Sequence, residues 1–120
     1  MKISTGCDVE QVVRFEALLQ KEHFCNRIFT DAEREYIEKS GHPQETAAGI
    51  FCAKEAMSKA LGRGLFGLQP KELGVAWDDH GAPYPVLTGS ASEQYGHLQL
   101  SISISHTKET AFATCVALEE

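Results

Sequence analysis

Apolar residues in the first half of the chain recur at the three- and four-residue spacing of an amphipathic helix. This spacing predicts three helices, which cover residues 9–22, 30–40 and 43–62. A capping-box pattern starts the second helix, and Pro43 suits the first turn of the third. A short strand before them is predicted to end in a turn at Gly6.

The second half of the chain changes to the alternation of apolar and polar residues that is typical of strands. Residues 73–77 and 85–88 predict two short strands, joined by the turn-rich sequence DDHG. Apolar and polar residues alternate strictly over residues 98–104, which predicts a further strand. Residues 110–118 are small and apolar throughout, as expected of a strand covered on both faces or packed against another subunit. Helices followed by an antiparallel sheet predict an α+β fold.

Length and charge narrow the class of protein. The 120 residues fit one domain over residues 1–120, and the 42% apolar and 23% charged residues are those of an ordinary globular protein. With 11 basic and 17 acidic residues the net charge is −6, which argues against bulk binding of nucleic acid or of an anionic membrane. No stretch reaches the ~18 apolar residues of a membrane span, and the polar N-terminus has no secretory signal.

The four cysteines are widely separated, and no two form a C-x-x-C pair. This spacing excludes a zinc ribbon or a thioredoxin motif. We therefore expect reduced thiols that serve as small core residues, and a cytoplasmic location.

Two groups of charged residues are candidates for chemistry. Asp8 and Glu10 lie within one short turn, where two carboxylates offer the hard oxygen ligands that suit Mg²⁺. The same acids would also stabilise the start of a helix. Glu55 and Lys59 are four residues apart and share one face of the third helix, a spacing that an ordinary surface ion pair also has.

Residues 54–71 are basic for an acidic chain. They contain a single acid, Glu55, and four basic residues, Lys54, Lys59, Arg63 and Lys71. Such a segment predicts a site for anionic groups. Gly62 and Gly64 would let the backbone approach a ligand closely, although the end of a helix also favours glycine.

Ser105, His106 and Thr107 follow one another in the connection between the last two strands. Two hydroxyls beside an imidazole would supply several hydrogen-bond donors to a phosphate oxygen without adding full charge. Serine and threonine are also common in ordinary hairpin turns, so both interpretations stay open.

In this order, these segments resemble the holo-acyl-carrier-protein synthases, the short trimeric type of 4′-phosphopantetheinyl transferase. The matching segments are GCDVEQVVRFE at 6–16, HFCNRIFTDAEREY at 23–36, AAGIFCAKEAMSKALGRG at 47–64, GAPYPVL at 81–87 and SISISHTKETAFATCVALEE at 101–120. Two positions depart from the family pattern. Cys7 replaces an aliphatic residue, and Glu10 completes a D-x-E pair more typical of the larger surfactin-synthetase-type transferases.

The resemblance implies a fold and an activity. The fold is that of helices packed on an antiparallel sheet, assembled as a homotrimer with coenzyme A between neighbouring subunits. The activity is transfer of the 4′-phosphopantetheine group of coenzyme A to a serine of apo-acyl carrier protein, with release of adenosine 3′,5′-bisphosphate. Mg²⁺ is the implied cofactor, and the acyl carrier protein is the implied partner.

The resemblance also assigns site residues by position. The catalytic set is Asp8, Glu55, Lys59 and His106. Asp8 and Glu55 match the metal-binding acids of the family, and Glu10 is available as a third ligand. The residues expected at the coenzyme are Lys54, Lys59, Gly62, Gly64, Pro83, Ser105, His106 and Thr107. The proton acceptor for the carrier serine stays open between Glu55, Glu10, His106 and a metal-bound water.

Three basic residues are candidates for contact with the carrier protein. Arg14 and Arg27 match the family positions that face it, and Lys21 lies between them. Together they would form a basic strip that meets an acidic carrier helix. Glu16 and Glu22 beside them favour ordinary surface charge instead.

Two other functions compete with that of the transferase. A non-catalytic module that binds coenzyme A or a phosphate would not need Asp8, Glu55, Lys59 and His106 together. A small hotdog-like or other acyl-thioester enzyme is disfavoured because the helices come first and the chain has the K-E-A-x-x-K segment.

Overall fold

The computed structural model of the protein describes residues 1–64 and 67–120. Its strands are β1 (Lys2–Gln11), β2 (Leu73–Trp77), β3 (Pro83–Leu87), β4 (Gln99–His106) and β5 (Thr110–Glu119). Its α-helices are α1 (Arg14–Leu18), α2 (Glu22–Ile28), α3 (Asp31–Lys39), α4 (Pro43–Ala60) and α5 (Gly89–Tyr95), with a short 3₁₀ turn at Pro70–Glu72.

The strands form two antiparallel sheets. The larger has the order β1-β5-β4, and β2 and β3 form a separate hairpin. The hairpin turn is the predicted one, in which the Asp78 side chain accepts hydrogen bonds from the backbone amides of His80 and Ala82 at 2.8 and 2.9 Å. The predicted α+β class is confirmed.

Helix α4 is the centre of the core and packs on one face of the larger sheet. The small residues of β5 turn to this face and are buried beneath the helix; they are Ala111, Ala113, Cys115 and Ala117. Small side chains in the central strand let a helix lie close to the sheet. The partner of this small-residue face is therefore α4 of the same chain.

Strand β1 departs from the prediction at Gly6. The strand continues through this residue without a turn and pairs with β5 as far as Gln11. A Cβ at Gly6 would clash with the carbonyl of Ala56 and lie 2.7 Å from the amide nitrogen of Ala60. Glycine is needed here for close packing against α4 and not for a turn.

The predicted helix over residues 9–22 is wrong. Pairing with β5 holds residues 9–11 in β1, and two short helices, α1 and α2, follow instead. Their apolar side chains build an aromatic cluster in which the ring centroids of Phe15 and Phe51 are 5.6 Å apart, and those of Phe24 and Phe29 are 6.0 Å apart. Tertiary packing of these rings overrides the helical spacing of the sequence.

The second and third predicted helices are confirmed. Thr30 and Glu33 form the capping box of α3, and Pro43 occupies the first turn of α4. Helix α5 was not predicted, because its sequence is short and polar, with Ala91 as its buried residue. Of the four free cysteines, three are buried as expected, whereas Cys7 is exposed.

The other face of the larger sheet has no covering element among the residues that the structure describes. It carries exposed apolar side chains from β1 and β5: Ile3, Val9, Phe112 and Val116. Throughout residues 1–64 and 67–120, no helix is long and apolar enough to cross a lipid bilayer.

Candidate active site

Strand β1 and helix α4 bring three acids together. Asp8 and Glu10 pair with Ala113 and Ala111, whose side chains face α4, so both acids point to the helix side of the sheet. Their side chains are each only 12% exposed. Glu55 projects from the helix into the same region, where the charge of Asp8 acts on it.

Two acids of this cluster, Glu10 and Glu55, have raised pKa values. Burial is the main cause that raises the pKa of Glu10 to about 7, followed by hydrogen bonding to Asp8 and repulsion from its charge; Arg14 opposes this shift. Burial and the charge of Asp8 also raise the pKa of Glu55, and Lys59 opposes that shift. A cluster of carboxylates with raised pKa values favours the arrival of a cation.

Asp8 has one carboxylate oxygen without a partner. Its Oδ2 atom is buried and accepts no hydrogen bond, while Oδ1 lies 3.4 Å from Nζ of Lys59. A protonated Glu10 would supply a donor to the cluster, but an ionised Glu10 would not. An orphaned buried carboxylate oxygen needs an explanation, and an oxygen-binding divalent cation supplies one.

The residues present therefore fit Mg²⁺, with one correction. Among the described residues no group of three or more His, Cys, Asp or Glu side chains is arranged to hold a metal. The expectation that Glu10 is a third ligand is not supported, because its carboxylate is bound to the guanidinium of Arg14 one helical turn later. Asp8 and Glu55 remain as the candidate ligands, and Mg²⁺ commonly keeps several waters and binds through only one or two carboxylates.

Lys59 lies at the edge of the acid cluster. Its Nζ atom donates to the carbonyl of Cys7 at 2.9 Å, and its side chain is half exposed. It is one turn beyond Glu55 on the same face of α4, so its charge acts on both acids. The ammonium is thus fixed beside the carboxylates and still open to an anionic ligand.

His106 lies in a different place, at the other end of α4. It is the last residue of β4 and lines a cavity of about 170 Å³ together with Pro83 of β3. The Nδ1 atom of His106 is 3.2 Å from Oε2 of Glu45, in the first turn of α4. The other wall of the cavity is the stacked pair Tyr36 and Trp77, with ring centroids 3.7 Å apart.

The two hydroxyls beside His106 do not share its environment. Ser105 pairs with Phe112 and points to the opposite, uncovered face of the sheet. The Thr107 hydroxyl accepts hydrogen bonds from the amides of Glu109 and Thr110, at 3.2 and 3.1 Å, and so shapes the turn before β5. Thr107 therefore has the ordinary hairpin-turn role. Because side chains alternate along a strand, Ser105 points away from the imidazole of His106.

Gly62 and Gly64 follow the far end of α4. Gly62 has a φ of 76°, and its amide donates to the carbonyl of Lys59 at 3.0 Å, as expected of a glycine that ends a helix. The 18 residues of α4 span about 27 Å. The two glycines and His106 therefore lie at opposite ends of the helix and do not form one binding site within a single chain.

Lys54 requires a correction. Its side chain is 0% exposed, with Nζ 2.9 Å from Oε1 of Glu33 and 2.8 Å from the carbonyl of Pro70. Burial lowers the pKa of Lys54, and the carboxylate of Glu33 opposes this. Glu33 also accepts hydrogen bonds from the amides of Thr30 and Val75. The ammonium is enclosed in this network, so Lys54 joins α3, α4 and β2 in the core and does not reach a coenzyme.

The basic residues predicted to face the carrier lie along the segment of α1 and α2. Arg14 begins α1 and binds Glu10, Lys21 immediately precedes α2, and Arg27 is in the last turn of α2. All three are exposed. The structure also ties α3 to this segment through Arg34, which binds Glu22.

Sequence patterns did not mark Glu45 or His42. Glu45 looks like an acid that complements the start of a helix, and His42 like a loop residue before Pro43. Their proximity to His106 depends on how α4 lies on β4, which the spacing of residues along the chain does not specify.

Comparison with known proteins identifies the family. The profile of the 4′-phosphopantetheinyl transferase superfamily matches residues 4–115. The holo-[acyl-carrier-protein] synthase of Caldanaerobacter subterraneus subsp. tengcongensis is 37% identical, over 98% of this chain and 96% of its own. That of Fusobacterium nucleatum subsp. nucleatum is 39% identical, over 98% of this chain and all of its own.

A solved structure indicates the same family. The crystal structure of a holo-(acyl-carrier-protein) synthase from Bacillus anthracis str. Ames in complex with CoA (3′,5′-ADP) matches with a TM-score of 0.82 and 32% identity, covering 98% of this chain and 96% of that one. The resemblance found in the sequence is confirmed. The chain belongs to the holo-acyl-carrier-protein synthase family of the 4′-phosphopantetheinyl transferase superfamily.

Proposed function

We propose that this chain transfers the 4′-phosphopantetheine group of coenzyme A to a serine of an apo-acyl carrier protein. The serine oxygen attacks the phosphorus on the pantetheine side of the diphosphate. The bond from that phosphorus to the bridging oxygen breaks, and adenosine 3′,5′-bisphosphate leaves. The observation that carries this proposal is the meeting of Asp8, Glu55 and Lys59 where β1 packs on α4.

The acid cluster and Lys59 have separate roles in this proposal. Asp8 and Glu55 would hold Mg²⁺, which when bound neutralises negative charge on the diphosphate. The half-exposed ammonium of Lys59 binds the oxygens of the leaving bisphosphate, on which negative charge accumulates. The charge on the leaving bisphosphate grows as the phosphorus–oxygen bond breaks, so Lys59 stabilises the transition state more than the bound substrate.

A carboxylate of the cluster accepts the proton of the serine hydroxyl. Glu55 and Glu10 are the candidates, because both lie beside Asp8. His106 is less suited, since it lines the separate cavity and its Nδ1 atom faces Glu45. We assign His106 and Pro83 to binding of the coenzyme.

A homotrimer would complete the coenzyme site. His106 lies beside the first turn of α4 and the two glycines follow its last turn, so they are at opposite ends of a helix about 27 Å long and cannot act on one end of a ligand within one chain. The uncovered apolar face formed by β1 and β5 offers a surface on which copies of the chain can meet. Coenzyme A bound between subunits would then contact His106 of one copy and Gly62 and Gly64 of another.

The acyl carrier protein is the proposed macromolecular partner, docking on Arg14, Lys21 and Arg27. All three are exposed on the segment of α1 and α2, and Arg14 is bonded to Glu10 of the acid cluster. This arrangement would present the carrier serine to the cluster. The cytoplasmic location expected from the free thiols stays a prediction.

Weighing the carrier tests the proposal directly. Apo-carrier protein incubated with coenzyme A, Mg²⁺ and this protein should gain the mass of one phosphopantetheine group. Asp8→Ala and Glu55→Ala should lose most of this activity, and added Mg²⁺ should restore it only in part. Coenzyme A binding without any gain in carrier mass would instead favour the non-catalytic binding module, and unchanged turnover in either variant would remove that residue from the site.

A further inference from the structure

Glu45 and His106 are in close contact, and the proposed reaction does not use this contact. Oε2 of Glu45 and Nδ1 of His106 are 3.2 Å apart, and the two side chains are 21% and 35% exposed. An ionised carboxylate can only accept hydrogen bonds, so a carboxylate oxygen at this distance favours a proton on Nδ1. When the Nδ1 proton is held by Glu45, Nε2 is the ring nitrogen that is left to contact a ligand.

The packing of α4 on β4 accounts for this contact. A Cβ at Gly49 would lie 2.9 Å from Cγ2 of Ile104, so the helix and the strand are in close contact at this point. Glu45 lies four residues back along α4, about 6 Å, and His106 lies two residues on along β4, about 6.6 Å. These two distances along the helix and the strand are nearly equal. The side chains of Glu45 and His106 therefore meet next to the Gly49–Ile104 contact.

The second histidine of the cavity does not replace Glu45. His42 has its ring centroid 5.8 Å from that of His106, and its Nδ1 atom is 3.2 Å from the hydroxyl of Thr46. Around the cavity, Tyr36 from α3, His42 and Glu45 are the other side chains that can titrate. Glu45 is the acid among them, and its Oε2 atom lies 3.2 Å from Nδ1 of the His106 imidazole.

We infer that Glu45 is a positioning residue for coenzyme recognition: it holds the Nδ1 proton of His106 and so fixes the ring with Nε2 as the atom that meets an anionic phosphate oxygen of the ligand. The inference rests on the proposed function, because it takes His106 as a contact of coenzyme A. When a phosphate oxygen binds, the ring takes up a second proton from solvent at Nε2, so that it lies between two anions and both of its nitrogens donate. Glu45 itself touches no reacting atom.

The first test reads the ring directly and does not depend on turnover. Nitrogen-15 NMR of the ligand-free protein reports which ring nitrogen carries the proton, with the His106 signals assigned by their loss in His106→Gln. We expect a protonated Nδ1 in the native protein and in Glu45→Gln, whose amide oxygen still accepts, and a shift of the proton towards Nε2 in Glu45→Ala. An unchanged Nδ1 proton in Glu45→Ala overturns the inference.

The second test is steady-state kinetics with coenzyme A and apo-carrier protein. Glu45→Ala should raise the KM for coenzyme A about tenfold and leave kcat within about twofold, as expected when a hydrogen bond to a charged group is lost from ligand binding. Glu45→Gln should recover most of the affinity. Glu35→Ala removes an exposed acid from α3 and is the matched control.

The two tests separate this inference from the proposed function. If the native protein adds no phosphopantetheine, the proposed function fails, while the NMR result still decides whether Glu45 holds the ring. If the ring proton moves but the KM for coenzyme A is unchanged, or if kcat falls and KM does not rise, the positioning role is wrong. Should Glu45→Ala fail to fold, a proton found on Nε2 and not on Nδ1 in the ligand-free native protein would still overturn the inference.

Discussion

The carboxylate of Asp8 lies 3.4 Å from the ammonium of Lys59, although the two residues are 51 positions apart in the chain. The contact crosses the interface between β1 and α4, the two elements that supply the acid cluster. Ser4 extends the same interface, since its hydroxyl donates to the carbonyl of Ala60 at 2.7 Å. The proposed chemistry therefore depends on how closely one strand and one helix approach each other.

Gly6→Ala should damage both stability and activity. The added Cβ would press on the backbone of α4 at Ala56 and Ala60, which cannot move aside as a flexible side chain would. We expect a loss of about 3 kcal/mol in the free energy of unfolding, measured by urea denaturation, and a large fall in carrier modification. Gly64→Ala is the control for stability, because a Cβ there meets nothing within 4 Å. Equal stability of the two variants would contradict the close approach of β1 and α4.

Lys54→Met should destabilise the fold by about 3–5 kcal/mol, because it leaves the carboxylate of Glu33 buried without its cationic partner. The double variant Lys54→Met with Glu33→Gln should lose less than the sum of the two single losses, since neither charge is then stranded. Urea denaturation of all four proteins measures this coupling. Lys39→Ala, which breaks an exposed pair with Glu35, should change nothing measurable. Additive losses in the cycle would show that the buried pair does not act as a unit.

Lys21→Glu should weaken docking of the carrier protein. Reversing one charge of the strip should raise the KM for the carrier several-fold, leave the KM for coenzyme A unchanged, and reduce the dependence of the carrier KM on salt. Lys39→Glu, on the exposed side of α3, is the matched control. A carrier KM that does not respond to ionic strength in the native protein would rule out steering by this strip.

Val116→Glu should prevent assembly. Val116 is 43% exposed on the uncovered face of β5, and a buried carboxylate at a subunit contact is costly. Light scattering should give the native protein a mass three times the 13.2 kDa of the chain, and the variant the mass of a monomer. Val86→Glu introduces the same change at a valine that is 40% exposed on the β2–β3 hairpin, and should leave the trimer intact. A native monomer would contradict the homotrimer.

The sequence predicted those elements whose signals are local. The capping box at Thr30 and Glu33, the proline that starts α4 and the turn after β2 depend on neighbouring residues, and each is confirmed. The helix over residues 9–22 failed because pairing with β5 is a contact with residues about one hundred positions later. Local spacing carries no information about such a partner.

For the candidate site too, the sequence indicates some residues, whereas other contacts depend on how the elements pack. Residue type and order made Asp8, Glu55, Lys59 and His106 candidates, and the family resemblance gave them roles that stay predictions. They did not show that Lys54, next to Glu55 in the chain, points into the core, because one step along a helix turns a side chain by about 100°. Nor did they pair Glu45 with His106, a contact created by the packing of α4 on β4 at Gly49.

Binding of Mn²⁺, which can replace Mg²⁺ at oxygen ligands, tests the central claim most directly. Electron paramagnetic resonance of free Mn²⁺, in the presence of coenzyme A, measures binding without any turnover. The native protein should bind one ion per chain, whereas Asp8→Asn and Glu55→Gln should each lose this binding and remain folded; Asp79→Asn, an exposed acid in the β2–β3 turn, should bind as the native protein does. Undiminished Mn²⁺ binding by either Asp8→Asn or Glu55→Gln would contradict a cation shared by β1 and α4.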